Sequence, residues 1–367
     1  MSDRSLLRSA FLDKAGWSGA EIQPLAGDAS FRRYFRLVDG DRRAMLMDAP
    51  PPREDVRPFL RVADLLHALD YSAPRILDRD TDDGFLLLED LGDDTFTRLI
   101  AHGEDEGDLY RLAGDVLADL HERFDPGTAH DLPAYTETRL LDEAALLTDW
   151  FLPEAVGKTT DDSHRAEYLA AWRQVLPLAA CVGESLVLRD FHIDNLMRLE
   201  GREGLRACGL LDFQDAVIGP VAYDLVSLVE DARRDVSPDV AREVRARYLA
   251  RRPSLSAEAL DLAMAVLGAQ RHAKVIGIFC RLARRDGKPV YLGHLPRLWR
   301  LLEKSLAHPA LGPVSDWFKT QIPPDLRCIP ARLQQDFLSP EDQNTPTEAR
   351  GNEPAEELGA HRMRIPA

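Results

Sequence analysis

Two short apolar segments, each followed by or ending in an aspartate, constrain this chain more than any other feature of its sequence. The segment 185–189 leads into Asp190, with Asn195 five positions later, and the segment 207–212 ends in Asp212. Rigid strands commonly hold binding and catalytic side chains on the loops that they support. The order therefore predicts one site that combines a carboxylate, an amide and a second carboxylate.

This set of oxygen atoms suits phosphoryl transfer. The reaction needs a carboxylate that receives the proton of the acceptor hydroxyl, and metal ions on the phosphate oxygens. We expect Asp190 to be the catalytic carboxylate. We expect Asn195 and Asp212 to bind Mg²⁺, a hard cation that prefers oxygen ligands.

Residues 1–90 are predicted to form a small antiparallel sheet with one inserted helix. The dipeptide Asp39-Gly40 favours a tight hairpin, because glycine accepts the positive φ that such a turn requires. Helices are expected at 5–16 and 54–69. Extended segments are expected at 21–25, 31–38, 43–48, 75–77 and 85–89.

After Leu91 the apolar period becomes helical, as in the stripe that runs from Leu109 to Leu120. Strands first and helices afterwards predict an α+β fold with two lobes, 1–90 and 91–337. Residues 338–367 are rich in Pro, Glu, Asn and Thr and are predicted to be a disordered tail. Further helices are predicted at 137–151, 163–180, 222–232, 237–251, 256–280 and 295–306, and a further strand at 196–200.

The composition excludes several classes of protein. A formal net charge of -16 argues against a surface for nucleic acid, which needs clustered positive charge. No apolar run approaches the roughly 20 residues that span a bilayer, and charged residues interrupt the first 17 positions, so neither a membrane span nor a signal peptide is expected. We expect a cytoplasmic enzyme with four reduced cysteines, none at zinc-ligand spacing.

The residues around the two aspartates resemble the aminoglycoside phosphotransferase and choline kinase superfamily. Its catalytic loop reads His-Gly-Asp-x-x-x-x-Asn, and its metal strand reads Ile-Asp-Trp/Phe-Glu before a Gly-x-Pro-x-x-Asp-Leu segment. Asp190, Asn195 and Asp212 match these motifs, and the last segment matches approximately at 219–225. Leu188 and Arg189 replace the His-Gly pair. The resemblance implies a bilobal protein-kinase-like fold that uses ATP and Mg²⁺, with a small antiparallel-sheet N-lobe and a larger, mainly helical C-lobe.

The resemblance also implies a nucleotide site in the first lobe. Residues 86–92 resemble the hinge between lobes, where the backbone of Glu89 and Leu91 would hold adenine. The third strand lacks the lysine of the superfamily, and Arg32, Arg33 or Arg43 could replace it. Arg61 stands where the glutamate partner of that lysine is expected. The residues that resemble the turn over the ATP phosphates are Gly27, Asp28, Ala29, Ser30, Arg32 and Arg33.

Four segments, 27–36, 47–51, 189–195 and 270–279, more narrowly resemble the bacterial anomeric sugar kinases of cell-wall recycling. These kinases phosphorylate N-acetylmuramate and N-acetylglucosamine at C1. The resemblance implies an amino-sugar substrate and a sugar 1-phosphate product that passes to a uridylyltransferase. The candidate acceptor-binding residues are Glu143, Asp149, Trp150, His192, Asp194, Arg271 and Lys274.

Other interpretations remain open at the level of sequence. His192 also fits a structural hydrogen-bonding role, and Arg271 and Lys274 also fit a solvated helix face. Trp150 also fits the core. The acceptor could be an aminoglycoside, a choline-like amine or another sugar, and the missing lysine is compatible with a regulatory pseudokinase. The residues 157–159, Gly-Lys-Thr, lack the first glycine of a phosphate-binding P-loop and are expected to be an ordinary loop.

Overall fold

A five-stranded antiparallel sheet forms the N-terminal part of the chain. The computed structural model describes residues 3–25, 31–129 and 131–337. The strands lie in the order β1-β2-β3-β5-β4. Asp39 pairs with Arg42 across a hairpin in which Gly40 has a φ of 58°, as the sequence predicts. The elements are α1 (Asp3–Lys14), β1 (Glu21–Pro24), β2 (Arg33–Asp39), β3 (Arg42–Asp48), α2 (Arg57–Ala68), β4 (Ile76–Asp80) and β5 (Phe85–Leu88).

Helices cover both faces of this sheet, which explains why all four residues of β5 are buried. Successive side chains of a strand point to opposite faces. Phe85 and Leu87 therefore pack in one cluster with Phe11 of α1. Leu86 and Leu88 belong to a second cluster that also contains the α2 side chains and the helical core. One continuous core thus links the sheet to the rest of the molecule.

The remainder of the described chain is mainly helical. The 30-residue helix α10 runs through its centre and packs against α5, α8 and α11. Its N-terminus is capped by Ser256, and it ends at Gly287, whose φ of 64° suits glycine. The helices are α3 (Phe96–Ala101), α4 (Glu106–Arg123), α5 (Glu137–Leu146), α6 (Leu152–Val156), α7 (Asp162–Val175), α8 (Ala222–Val229), α9 (Pro238–Arg251), α10 (Ala257–Asp286), α11 (Leu295–Leu306), α12 (Gly312–Gln321) and α13 (Ala331–Phe337).

Two antiparallel pairs of short strands carry the segments that the sequence singled out. β6 (Glu184–Val187) pairs with β9 (Val217–Pro220), and β7 (Leu196–Arg198) pairs with β8 (Cys208–Leu210). The predicted strands are present, and the predicted α+β class is confirmed. β9 was missed, because Gly219 and Pro220 give a poor strand signal and only the partner strand β6 stabilises it. α3, α6, α12 and α13 were also missed.

Two predictions about the organisation of the chain are not tested by the structure. The tail predicted at 338–367 lies outside the described residues, and the boundary between lobes at residue 90 stays a prediction. Within the described ranges, every helix is too short or too polar to cross a bilayer.

Close contact between α10 and the end of α5 depends on Gly277. A Cβ atom built on Gly277 would lie 2.2 Å from the carbonyl carbon and oxygen of Leu146. We expect Gly277→Ala to lower the free energy of unfolding by about 1–3 kcal/mol, because the two backbones must separate. Urea denaturation measures this change.

The matched control is Gly312→Ala at the first residue of α12, where a Cβ would meet no atom within 4 Å. That variant is expected to be neutral or slightly more stable, since alanine restricts the unfolded chain. Equal stability of the two variants would contradict the close approach at Gly277.

Candidate active site

The loop after β6 is held by Asp224, a buried residue in the first turn of α8. Its carboxylate accepts hydrogen bonds from the backbone N–H groups of Leu188, at 2.6 Å, and Arg189, at 2.8 Å. Burial raises the pKa of Asp224 to about 7, although the two N–H donors oppose that shift. Asp224 therefore fixes the backbone immediately before Asp190.

Arg189 has a left-handed backbone with a φ of 70°. This conformation costs an L-residue roughly 1–2 kcal/mol, whereas glycine adopts it without that cost. The side chain offsets the cost, because its guanidinium pairs with Glu143 and lies 5.7 Å from the centre of the Tyr135 ring. The replacement of glycine by Arg189 thus adds a cation to the site.

Asp190 lies beside two cations supplied by the central helix α10. Arg271 and Lys274 are buried, with 5% and 8% of their surfaces exposed. Burial raises the pKa of Asp190, but the charges of Arg271 and Lys274 outweigh it and hold the pKa below its ordinary value. Asp190 is therefore ionised at neutral pH and can accept a proton.

Glu143 on α5 balances these cations. It lies 3.0 Å from the Lys274 ammonium and accepts a hydrogen bond of 2.5 Å from the Tyr135 hydroxyl. Burial raises the pKa of Glu143, but the charges of Lys274 and Arg189 lower it by more than burial raises it. Glu143 is therefore ionised. Glu143, predicted as an acceptor-binding residue, is thus part of a buried charge network next to Asp190.

Asn195 and Asp212 lie at the same end of the β7–β8 pair. Leu196 pairs with Leu210 in the register of these strands, and the Leu211 N–H donates to the Asn195 carbonyl at 3.0 Å. The Asn195 side-chain amide donates to the Asp190 carbonyl at 3.0 Å. The structure therefore brings Asp190, Asn195 and Asp212 together, although 22 positions separate the first from the last.

Asp212 has the environment of a cation ligand. Its φ of 57° is left-handed, a strained conformation that is frequent at functional sites. Burial raises its pKa, and the nearby charge of Asp190 raises it further, while Gln214 donates to it at 2.7 Å. A bound cation would relieve the repulsion between these two carboxylates.

The donor set fits magnesium on a nucleotide better than a protein-only metal cage. No three His, Cys, Asp or Glu side chains form a metal-binding group in the described ranges. Magnesium at nucleotide sites typically takes one or two carboxylates and completes its shell with phosphate oxygens and water. Asp212 and the side-chain oxygen of Asn195 can supply the protein share of such a shell.

Arg32 is the one of the three candidate arginines that contacts the site. Its guanidinium lies 3.5 Å from Asp212, and 14% of the side chain is exposed. Arg33 and Arg43 are exposed on the sheet. Side chains alternate between the two faces of a strand, so Arg32 points to the site and Arg33 points away from it.

Glu89, which the sequence predicts as a hinge residue, forms ion pairs with two arginines. Its carboxylate pairs with Arg75 at 3.2 Å and with Arg202 at 2.5 Å. Its backbone N–H donates to the Arg75 carbonyl at 2.8 Å. Leu91 lies two positions after Glu89 in the chain. The predicted phosphate-turn residues Gly27, Asp28, Ala29 and Ser30 lie outside the described part of the chain.

The remaining acceptor candidates have different surroundings. His192 is buried and lies 3.1 Å from Arg233, and Asp194 accepts a hydrogen bond from Thr97, so both stabilise the loop that contains Asp190. Asp149 pairs with Arg165 at 2.8 Å on α7.

Two interpretations from the sequence can now be compared with the packing. Arg271 and Lys274 are not a solvated helix face, because burial against Ser227 and Tyr223 encloses them. Trp150 packs at the edge of the helical core. In the described ranges, no hydrogen bond or ion pair joins Trp150 to Asp190.

Sequence reasoning missed Tyr135, Tyr223 and Gln214. Tyr223 directly precedes Asp224, so its position in the matched segment was a usable signal. The Tyr135 N–H donates to the carbonyl of Ile218, 83 positions later in the chain, at 2.7 Å. A hydrogen bond between residues so far apart in the chain cannot be predicted from local sequence patterns.

Comparison with known proteins adds three findings. Residues 21–259 match the phosphotransferase enzyme family. An N-acetylmuramate/N-acetylglucosamine kinase of Caulobacter vibrioides is 35% identical over 360 residues, which cover 89% of this chain and 99% of that kinase. A kinase of the same name from Pseudomonas aeruginosa is 40% identical over 307 residues, covering 80% of this chain and 86% of the relative.

A solved structure supports the fold. The aminoglycoside phosphotransferase APH(2'')-Ib, solved with ADP bound, superimposes with a TM-score of 0.54 and covers 84% of this chain and 98% of its own. At 17% identity this likeness establishes the fold alone. The predicted protein-kinase-like fold is thereby confirmed.

The strain at Arg189 has a measurable consequence. We expect Arg189→Gly to be more stable than Arg189→Ala by about 1 kcal/mol, because both lose the pair with Glu143 but only glycine relieves the left-handed backbone. Chemical denaturation of the two variants gives the difference.

The control pair is Glu167→Gly and Glu167→Ala, at an exposed position in the middle of α7. There alanine should be the more stable by about 1 kcal/mol, as in an ordinary helix interior. The same order at both positions would exclude backbone strain at Arg189.

Proposed function

Because this chain belongs to the phosphotransferase enzyme family, we propose that it is an ATP- and Mg²⁺-dependent kinase for amino sugars. Its substrates would be N-acetylmuramate and N-acetylglucosamine, and the phosphate would be transferred to the anomeric C1 hydroxyl. The two kinases of that name, similar over most of this chain, support this substrate class. The observation that carries the proposal is the convergence of Asp190, Asn195 and Asp212 on one site.

In the proposed mechanism, Asp190 orients the C1 hydroxyl and accepts its proton as the phosphoryl group moves. An anomeric hydroxyl is more acidic than an ordinary alcohol, so a carboxylate is an adequate base. Arg271 and Lys274 keep Asp190 ionised between turnovers. Asn195 and Asp212 would hold Mg²⁺, which supplies charge neutralisation on the phosphates when bound.

The nucleotide would lie between the sheet and the helical lobe, with residues 1–90 as the nucleotide-binding lobe. The Glu89 carbonyl and the Leu91 N–H would contact adenine, since the Glu89 N–H already donates to Arg75. Gly27, Asp28, Ala29 and Ser30 would cover the phosphates, with Arg33 at the edge of that turn. Arg32 would take over from the absent lysine, because its guanidinium is already next to Asp212.

The buried cations favour a neutral or acidic acceptor. Arg189, Arg271 and Lys274 surround Asp190, and a polycationic aminoglycoside would be repelled by their field. Among the candidate acceptor-binding residues, Glu143 is the carboxylate that pairs with these cations. We further propose that the reaction is cytoplasmic and that a uridylyltransferase consumes the sugar 1-phosphate.

One assay tests the proposal. The protein is incubated with ATP, Mg²⁺ and a panel of amino sugars, and the C1-phosphate is followed by phosphorus NMR. We expect both sugars to be phosphorylated, and Asp190→Asn to lower kcat by about 10²- to 10⁴-fold through loss of the base. Asp212→Asn should lower kcat at least as much, because it removes charge from the metal site.

Asp82→Asn in an exposed turn is the control and should leave the rates unchanged. Failure to phosphorylate any sugar while ATP still binds would favour a regulatory pseudokinase. Phosphorylation of an aminoglycoside, a choline-like amine or a different sugar alone would identify another acceptor on the same fold.

A further inference from the structure

A cavity of about 200 Å³ opens between α2 and the segment that leads into α5. One wall belongs to the loop that carries Asp212, because Gln214 lines the cavity and donates to the Asp212 carboxylate at 2.7 Å. The cavity therefore begins next to the proposed metal ligand. The residues that carry the argument below are Arg61, Arg139 and Gln214.

The opposite wall reaches the charge network around Asp190. Arg139 lines the cavity and lies 4.0 Å from Glu143, the residue that pairs with Arg189 and Lys274. Its guanidinium is also 5.9 Å from the centre of the Tyr135 ring. The cavity thus lies between the loop that carries Asp212 and Arg139, whose neighbour Glu143 belongs to the charge network around Asp190.

The wall of this cavity also contains a buried polar atom without a partner among the described residues. Gln214 is 7% exposed, and its side-chain carbonyl oxygen has no hydrogen-bond partner within the described ranges. An unsatisfied buried acceptor costs about 1–3 kcal/mol. A ligand N–H or O–H would remove this cost, and the acetamido N–H shared by both amino sugars is a suitable donor.

Arg61 and Arg139 both line this cavity, and two cations there favour a ligand with a negative charge. Arg139 is one-third exposed, and its only ion pair in the described chain is the 4.0 Å contact with Glu143. Arg61 donates to the backbone carbonyl of Asp131 at 2.5 Å, which uses one of its five N–H donors. Arginine binds carboxylates through paired N–H groups, so these side chains can accept an acidic arm.

We propose that Arg139, assisted by Arg61, binds the carboxylate of N-acetylmuramate and sets the preference between the two sugars. This rests on the proposed function. N-acetylmuramate differs from N-acetylglucosamine by a lactyl ether that carries a carboxylate, so only the first sugar can use these arginines. The remaining contacts are common to both sugars, and one pocket accepts the two.

Steady-state kinetics of Arg139→Gln and Arg61→Gln with each sugar test the inference. We expect Arg139→Gln to raise KM for N-acetylmuramate by about 10- to 100-fold, the effect of losing a charged hydrogen bond. kcat/KM for N-acetylglucosamine should change by less than about threefold, since that sugar has no carboxylate. Arg139→Lys keeps the charge and should recover part of the affinity.

The matched control is Arg57→Gln on the exposed first turn of α2, which pairs only with nearby Asp55 among the described residues. It should leave both sugars unaffected. Equal losses for both sugars in Arg139→Gln, or no loss for either, would overturn the inference. If the unmodified protein phosphorylates neither sugar, the proposed function itself fails, and the two failures are therefore distinguished.

Discussion

An ionised carboxylate inside a protein requires compensating charge, and the structure around Asp190 is organised by that requirement. Arg271 and Lys274 reach it from α10, the central helix of the core. Because a buried cation is itself costly, Glu143 pairs with Lys274 and with Arg189. Packing of the helical core thus determines the protonation state of Asp190, the carboxylate that the proposed reaction would use.

The backbone is strained on both sides of the site, and the contacts that maintain this strain also fix the positions of the carboxylates. Arg189 and Asp212 are non-glycine residues at positive φ, and each is held by a contact that would be lost in a relaxed loop. Asp224 accepts from the Arg189 N–H, and Gln214 donates to the Asp212 carboxylate. Such strain persists only where surrounding contacts over-determine the loop, which gives the carboxylates fixed positions before any ligand arrives.

The sequence predicted what depends on local pattern. The order of Asp190, Asn195 and Asp212, the hairpin at Asp39 and the main helices all follow from spacing and periodicity. The burial of Lys274 does not, because only the packing of α10 against α5 and α8 turns its side chain inward. The cavity beside Gln214 is likewise formed by elements distant in sequence, so it cannot be predicted from local patterns.

Helix α2 connects the two halves of the proposed reaction. Phe213, which lies between Asp212 and Gln214, stacks on Phe59 of α2 with ring centres 4.7 Å apart. Arg61 lies half a turn further along the same helix and lines the cavity that is proposed to bind the acceptor. A shift of α2 would therefore change the metal side and the acceptor side together. Because Phe59 and Phe213 are both buried in the core that continues under the sheet, that coupling is carried by packing as well as by charge.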